Sequence, residues 1–187
     1  PNVGVVAVPD DRLDKLTIMS KSAKTIPTTI EFVDIAGLVK GASEGEGLGN
    51  KFLTNIRETD AIVQVIRKFT NKNVTHVHGD IDPEHDKEII NLELILADLD
   101  TVTKHLTKVV SKMKGPYDKI LDKEKALMEK AKNHLENSQL LNTLKLDEEE
   151  VKLIKQLNLL SIKPIIYLYN IDETDVGKDL NLPENSI

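Results

Sequence analysis

Neither cysteine nor tryptophan occurs in the 187 residues, and tyrosine and phenylalanine contribute three each. Without a thiol there can be no disulfide framework and no thiolate metal site; the balance tilts towards a reducing compartment, with the cytoplasm as the default location. No apolar run approaches the roughly 20 residues that cross a bilayer, and the first residues lack a basic-then-apolar signal pattern, so nothing targets a membrane. Nor does one charge dominate strongly: 25 Lys and Arg oppose 31 Asp and Glu, a formal net charge of -6 that argues against nucleic-acid binding over the whole surface. The positive charge is nevertheless gathered. Nine lysines lie between Lys104 and Lys132, against Asp118, Asp122, Glu124 and Glu129.

What is present is a chain with 40% hydrophobic residues, enough for one core, or one core plus an appendage. Val3–Val8, ended by Pro9-Asp10-Asp11, reads as a strand, and Thr29–Ile35 as a second that Ala36-Gly37 breaks. A glycine-rich loop, Gly41–Gly49, follows. Leu48, Phe52 and Ile56 recur at helical spacing, so a helix is expected over about 48–58. Ala61–Ile66 and Pro164–Tyr169 are continuous apolar runs of strand length, the pattern of a sheet covered on both faces. Strands alternating with helices predict an α/β fold with a partial doubly wound parallel sheet.

A different signal separates the last two strands. Leu92, Ile95, Leu99, Val102, Leu106, Val109 and Met113 step by three and four, an a/d seam over three heptads. Gly115-Pro116 must stop that helix, and Leu121, Met128 and Leu135 supply a second seam, so an inserted antiparallel α-helical coiled-coil hairpin is expected. Its first helix, about 30 residues at 1.5 Å each, would project roughly 45 Å and carry the lysines around its tip. Asp147 and Glu150 form a capping pair for a further helix. The expected divisions are 1–82, 83–145 for the helical insertion, and 146–187.

Asp34-Ile35-Ala36-Gly37 at a strand end is a D-x-x-G element, which also fits an ordinary turn. In phosphate chemistry the carboxylate would fix magnesium through water, and the bare glycine amide would approach a terminal phosphate. The residues after it narrow the choice. Leu38–Leu53 resembles switch II of the Obg group of translation-factor-class P-loop nucleotidases, and Thr28–Ala42 and Asn55-Ile56-Arg57-Glu58-Thr59, with Pro1-Asn2, Asp11–Asp14 and Asp98-Leu99-Asp100, narrow the resemblance to the YchF subfamily, from Pro1 to about Glu173.

That resemblance implies a magnesium-dependent nucleoside triphosphatase associated with the ribosome. Asn170-Ile171-Asp172-Glu173 matches its N-x-x-E base-reading segment, so Asn170, Ile171 and Glu173 are expected at the nucleotide, with Asp34 and Gly37 at the phosphate and Asp34 serving the metal. A terminal aspartate would accept both guanine N–H groups; the longer Glu173 displaces those oxygens, which implies ATP in preference to GTP. Leu38 stands where many GTPases keep a water-orienting glutamine, and leucine can neither donate nor accept. His76, where the family carries a histidine, is therefore the catalytic candidate. His78 beside it, without a third ligand, makes a poor metal site.

The same comparison implies a fragment. No G-x-x-x-x-G-K-[ST] loop occurs in these residues, and the family's C-terminal domain has no counterpart, so the piece alone is expected to be inactive. The partner implied is the ribosome or its RNA, engaged through Lys104, Lys108, Lys112, Lys119 and Lys123. A non-enzymatic RNA- or ribosome-binding module acting through the lysine-rich tip is the alternative, and a solvated face of Lys–Glu pairs the plainer reading of those lysines.

Overall fold

The structure, a computed structural model, describes residues 2–35, 48–70, 81–183 and 185–187, with backbone alone for 48–51. Gly37, Leu38, most of the glycine-rich loop, His76 and His78 lie outside the described residues. The chain divides into two compact units, 1–37 and 38–187.

In the first unit, β1 (Asn2–Ala7) and β2 (Thr29–Asp34) flank α1 (Asp11–Ser20). Asp10 caps α1, accepting from the Arg12 amide at 3.0 Å and gripping its guanidinium through both carboxylate oxygens at 2.8 and 2.7 Å. The two strands are antiparallel, Asn2 opposite Asp34 and Ala7 opposite Thr29, which corrects the all-parallel expectation. The cause lies in the connection. Lys21 adopts a left-handed conformation (φ 49°). The Ser22 amide then donates to the Thr17 carbonyl, and the Thr17 and Thr25 hydroxyls meet at 2.6 Å. The chain thus doubles back along α1, and the Val8 amide reaches the Thr28 carbonyl at 2.8 Å. A helix out and an extended return bring β2 in beside the point where β1 ended. A parallel partner needs the crossover to deliver the chain to the opposite end.

In the second unit, α2 (Leu48–Arg57) precedes β3 (Ile62–Arg67), and α3 (Pro83–Lys112), α4 (Lys119–Glu136) and α5 (Glu148–Lys155) intervene before β4 (Ile165–Asn170). β3 and β4 are parallel, from Ile62 opposite Ile165 to Arg67 opposite Asn170. Asn185 and Ile187 extend the sheet beyond β4, their carbonyls accepting from the Tyr167 and Tyr169 amides. α3 covers one face. Tyr167 and Tyr169 reach it through Asn91 (3.3 Å) and Glu84 (3.0 Å), and the Gln64 carboxamide donates to the Lys87 carbonyl. The opposite face, with Val63, Val65, Ile166 and Leu168, is open to solvent, so the expectation of cover on both faces is not met among the described residues.

The main core is helical. Ile95, Val102, Leu127, Met128, Ala131, Leu135, Leu141, Ile154 and Leu159 bury together, with Leu99 and Leu106 at its margin. α3 and α4 run antiparallel about a six-residue connection, with the His105 ring 2.6 Å from Glu124 across the pair. Leu92 is exposed while Leu94 is buried, because the first turns of α3 face the strands before its seam turns to α4. Asp147 begins α5 with a full capping box: its carboxylate takes the Glu149 and Glu150 amides, and Glu150 answers to the Asp147 amide at 2.9 Å.

Candidate nucleotide site

Parallel α/β sheets bind ligands at the carboxyl ends of their strands, where chain turns leave the sheet and backbone groups lack ladder partners. Here that edge is formed by Arg67–Thr70 after β3 and Asn170–Glu173 after β4. The ladder runs one step past the strands, as the Lys68 amide donates to the Asn170 carbonyl at 2.8 Å. The next residues are tied by side chains: Asp172 Oδ2 accepts from both the amide and the hydroxyl of Thr70, each at 2.9 Å. One carboxylate therefore binds the two loops together. A short 3-10 turn, Glu173–Asp175, follows at once, the Asp175 amide donating to the Asp172 carbonyl. Gly177 then takes a positive φ of 84°, a conformation that side chains other than glycine's rarely allow.

Between these anchors, Asn170 is exposed at the last position of β4 and Glu173 is exposed at the turn. Among the described residues neither side chain has a hydrogen-bond partner. Ile171 between them is half-buried. Around them lie the Arg67 guanidinium, 4.3 Å from the centre of the Phe69 ring, and the Lys68 ammonium, 5.9 Å from that of Tyr169. The edge thus offers a carboxamide, a carboxylate, cations and an aromatic ring, a set suited to a planar polar ring. Behind it, burial and the hydrogen bond to Glu84 push the Tyr169 phenol up to about 12. The hydroxyl donates to the Glu84 carboxylate on α3.

Asp34 ends β2, exposed, in the other unit. A lone hard-oxygen donor at a strand end fits magnesium, which takes one or two carboxylates beside nucleotide phosphates and keeps several waters. Among the described residues no group of three His, Cys, Asp or Glu side chains gathers into a metal cage. Gly37 and His76 lie outside the described residues, so of the sequence-predicted set the structure brings together Asn170, Ile171 and Glu173.

Two features escaped the sequence. Thr70 and Asp172 are 102 residues apart, and only an acidic residue two places after a strand hinted at a tie. The second is a junction at the foot of the helices. Asp98 is fully buried and accepts from the Leu160 amide (2.9 Å) and from the Ser161 amide and hydroxyl (2.7 Å each). Burial raises its pKa, while these bonds and Arg57 pull it back down. Arg57 itself donates to the Asn158 carbonyl and the Thr101 hydroxyl, and Lys163 caps the end of α2 through the carbonyls of Ile56, Arg57 and Thr59. α2 is thereby locked to α3 and to the segment leading into β4. An open cleft of about 1680 Å³ beside this junction, lined by Arg57, Glu58, Lys155, Lys163, Ile165 and Ser186, opens at the amino end of β4. It is thus at the wrong end of the strands for the carboxyl-edge site.

Residues 13–98 match the family model described as 50S ribosome-binding GTPase. The Ribosome-binding ATPase YchF of Bacillus subtilis is 53% identical over 177 residues, covering 95% of this chain and 48% of that protein. Its counterpart from Escherichia coli O157:H7 is 53% identical over 173 residues, 92% of this chain and 47% of the relative. The structure of the Schizosaccharomyces pombe YchF GTPase superposes with a TM-score of 0.76 at 40% identity, over 94% of this chain and 48% of that one. The fold is thus an α/β fold of the P-loop GTPase type, with parallel strands and helices. The chain spans about half the length of the relatives it matches. No described helix is long and apolar enough to cross a membrane.

Proposed function

The chain is a YchF homologue over nearly its whole length, and on that premise we propose that it supplies the base-reading and switch segments of a ribosome-associated nucleoside triphosphatase acting on ATP in preference to GTP. The single observation that carries this reading is Asn170, exposed at the carboxyl end of β4 and without a side-chain hydrogen bond among the described residues, with Glu173 one turn away and Asp172 fastening the loop to Thr70.

In this mechanism the Asn170 carboxamide reads the base edge, and Ile171 packs against the ring. The longer side chain of Glu173 carries its carboxylate past the position from which an aspartate would accept both guanine N–H groups, which tips selection towards adenine. Asp34 would hold magnesium through water, and the Gly37 amide would donate to the terminal phosphate. Bound magnesium would neutralise charge developing on the phosphate oxygens. His76 orients the attacking water, a task Leu38 cannot perform. Residues 83–145 act as a helical coiled-coil insertion between the two nucleotide-binding parts, 1–82 and 146–187. The tip lysines of that insertion face the ribosome, a partner that the relatives' names carry.

Two measurements test the reading. Replacing Asn170 by Ala in the full-length protein should weaken ATP binding by at least about tenfold, the value of one lost pair of base hydrogen bonds; unchanged affinity would remove the base-reading role. The 187-residue chain by itself, with no phosphate-binding loop motif, should give no micromolar heat of ATP binding. A clear micromolar isotherm would contradict that.

A further inference from the structure

We propose that the turn joining α3 to α4 is an RNA-contacting surface, in which Tyr117 stacks on an unpaired base while Lys108, Lys112, Lys114 and Lys119 hold the neighbouring phosphates. This rests on the ribosome-directed reading above and narrows it to one class of ligand and one set of residues.

Ion pairing sorts the nine lysines. Lys104 pairs with Asp100 at 2.7 Å, Lys125 with Glu129 at 3.4 Å, Lys130 with Glu150 at 2.9 Å and Lys132 with Glu136 at 3.2 Å, and Lys123 is held by Glu149. These are the solvated Lys–carboxylate pairs of an ordinary helical surface. Lys108, Lys112, Lys114 and Lys119 have no such partner among the described residues, and all four are exposed. Lys112, Lys114 and Lys119 border or lie in the connection, and Lys108 is about one helical turn further back on α3. Lys104 and Lys123, counted in the tip from sequence, are thus already engaged.

Between Lys114 and Lys119 in the chain stands Tyr117. The α3 helix ends with the Lys114 and Gly115 amides donating to the Ser111 and Lys112 carbonyls, and Asp118 restarts the chain as the cap of α4, accepting from the Ile120 amide at 2.8 Å. Tyr117 is carried between these two fixed ends and is 82% exposed, more than any other large apolar side chain among the described residues. The neighbouring Asp122 carboxylate pushes its phenol above the ordinary value. The other two tyrosines donate or accept within the fold, at Asn91 and Glu84. Ile120 beside it is also solvent-facing.

A lysine patch alone would suit any acidic surface. An exposed ring on the same turn as exposed lysines that have no ion-pair partner among the described residues is the combination that binds single-stranded nucleic acid, where the base stacks on the ring and ammonium groups track the backbone. Duplex RNA keeps its bases stacked and offers the ring nothing.

The test uses the 187-residue chain with a fluorescein-labelled RNA hairpin, the same stem closed as a blunt duplex, and polyglutamate. The chain has no tryptophan, so its emission reports its three tyrosines. The hairpin should quench that emission and bind with a log–log salt slope of about 3, as four phosphate contacts require. Tyr117→Ala should weaken binding by about tenfold or more, with Tyr117→Phe retaining it. Lys112→Gln with Lys114→Gln should lower the salt slope, and Lys104→Gln with Lys125→Gln should not. Lys104, Lys112, Lys114 and Tyr117 are exposed and Lys125 is half-exposed, and unchanged circular dichroism confirms that each variant is folded. Equal binding of blunt duplex with no loss in Tyr117→Ala would leave only a phosphate contact and overturn the stacking surface. Polyglutamate binding as tightly as the hairpin would overturn the choice of RNA. If the hairpin does not bind while the full-length protein still co-sediments with ribosomes, the tip surface is wrong and the ribosome reading stands. Hairpin binding as expected without co-sedimentation is the reverse, supporting the tip and removing the ribosome reading.

Discussion

The β1–β2 ribbon and the α3–α4 pair are both regular structure drawn from apolar patterns, yet they are held together by different forces. Every side chain of β1 is exposed, as are Ile30 and Phe32 on β2, and α1 buries nothing. The ribbon's order comes from its ladder and from the Asp10–Arg12 cap. The helical pair instead buries Val102, Ala131 and Leu135 almost completely and adds Asp98 in a closed hydrogen-bond network. Apolar surface removed from water is what makes an element resist opening, and a two-stranded ribbon without it is marginal. An apolar run in a sequence therefore announces an element without saying how firmly it is held.

The comparison breaks first, and hardest, at Asp98. Truncation to Ala leaves three buried donors without an acceptor and should cost on the order of 4 kcal/mol in urea unfolding; a loss below about 1 kcal/mol would mean that the junction is hydrated and the core less closed than described. Next comes a matched pair of apolar truncations. Leu135→Ala in α4 should cost about 3 kcal/mol, whereas Val5→Ala in β1 should stay within about 0.5 kcal/mol. Similar costs at both positions would erase the distinction between the regions.

A smaller effect sharpens the link between strands and helices. Tyr169 has a folded pKa of about 12 against an ordinary 10. Its neutral form is thus favoured by folding, and that contribution is complete below pH 10 and lost as pH rises from 10 through 12. Absorbance titration should show one late-ionising tyrosine, and Glu84→Gln should bring its midpoint down. A midpoint near 10 in the parent chain would separate β4 from α3.

Legibility followed the range of the interaction. Helix α2, the capping box at Asp147 and Glu150, and the a/d seam from Ile95 to Val109 were readable because their causes lie within a few residues. The direction of β2 was not, since it depends on residues 21–28 folding back along α1 through Thr17 and Thr25. Leu92 fitted the seam by spacing and is exposed, because three turns of α3 serve the strands instead. At the site, Asn170 and Glu173 stood out through resemblance to a known segment. The Thr70–Asp172 tie and the burial of Asp98 join residues far apart in the chain, and a carboxylate's solvation cannot be read from its neighbours in sequence.

Exchanging Glu173 for Asp in the full-length protein, and measuring the affinities for ATP and GTP side by side, addresses the base-reading edge most directly. The shorter carboxylate should reach the guanine N–H groups and raise the GTP-to-ATP affinity ratio by about tenfold or more. An unchanged ratio, with both affinities intact, would place the base elsewhere than at Asn170–Glu173.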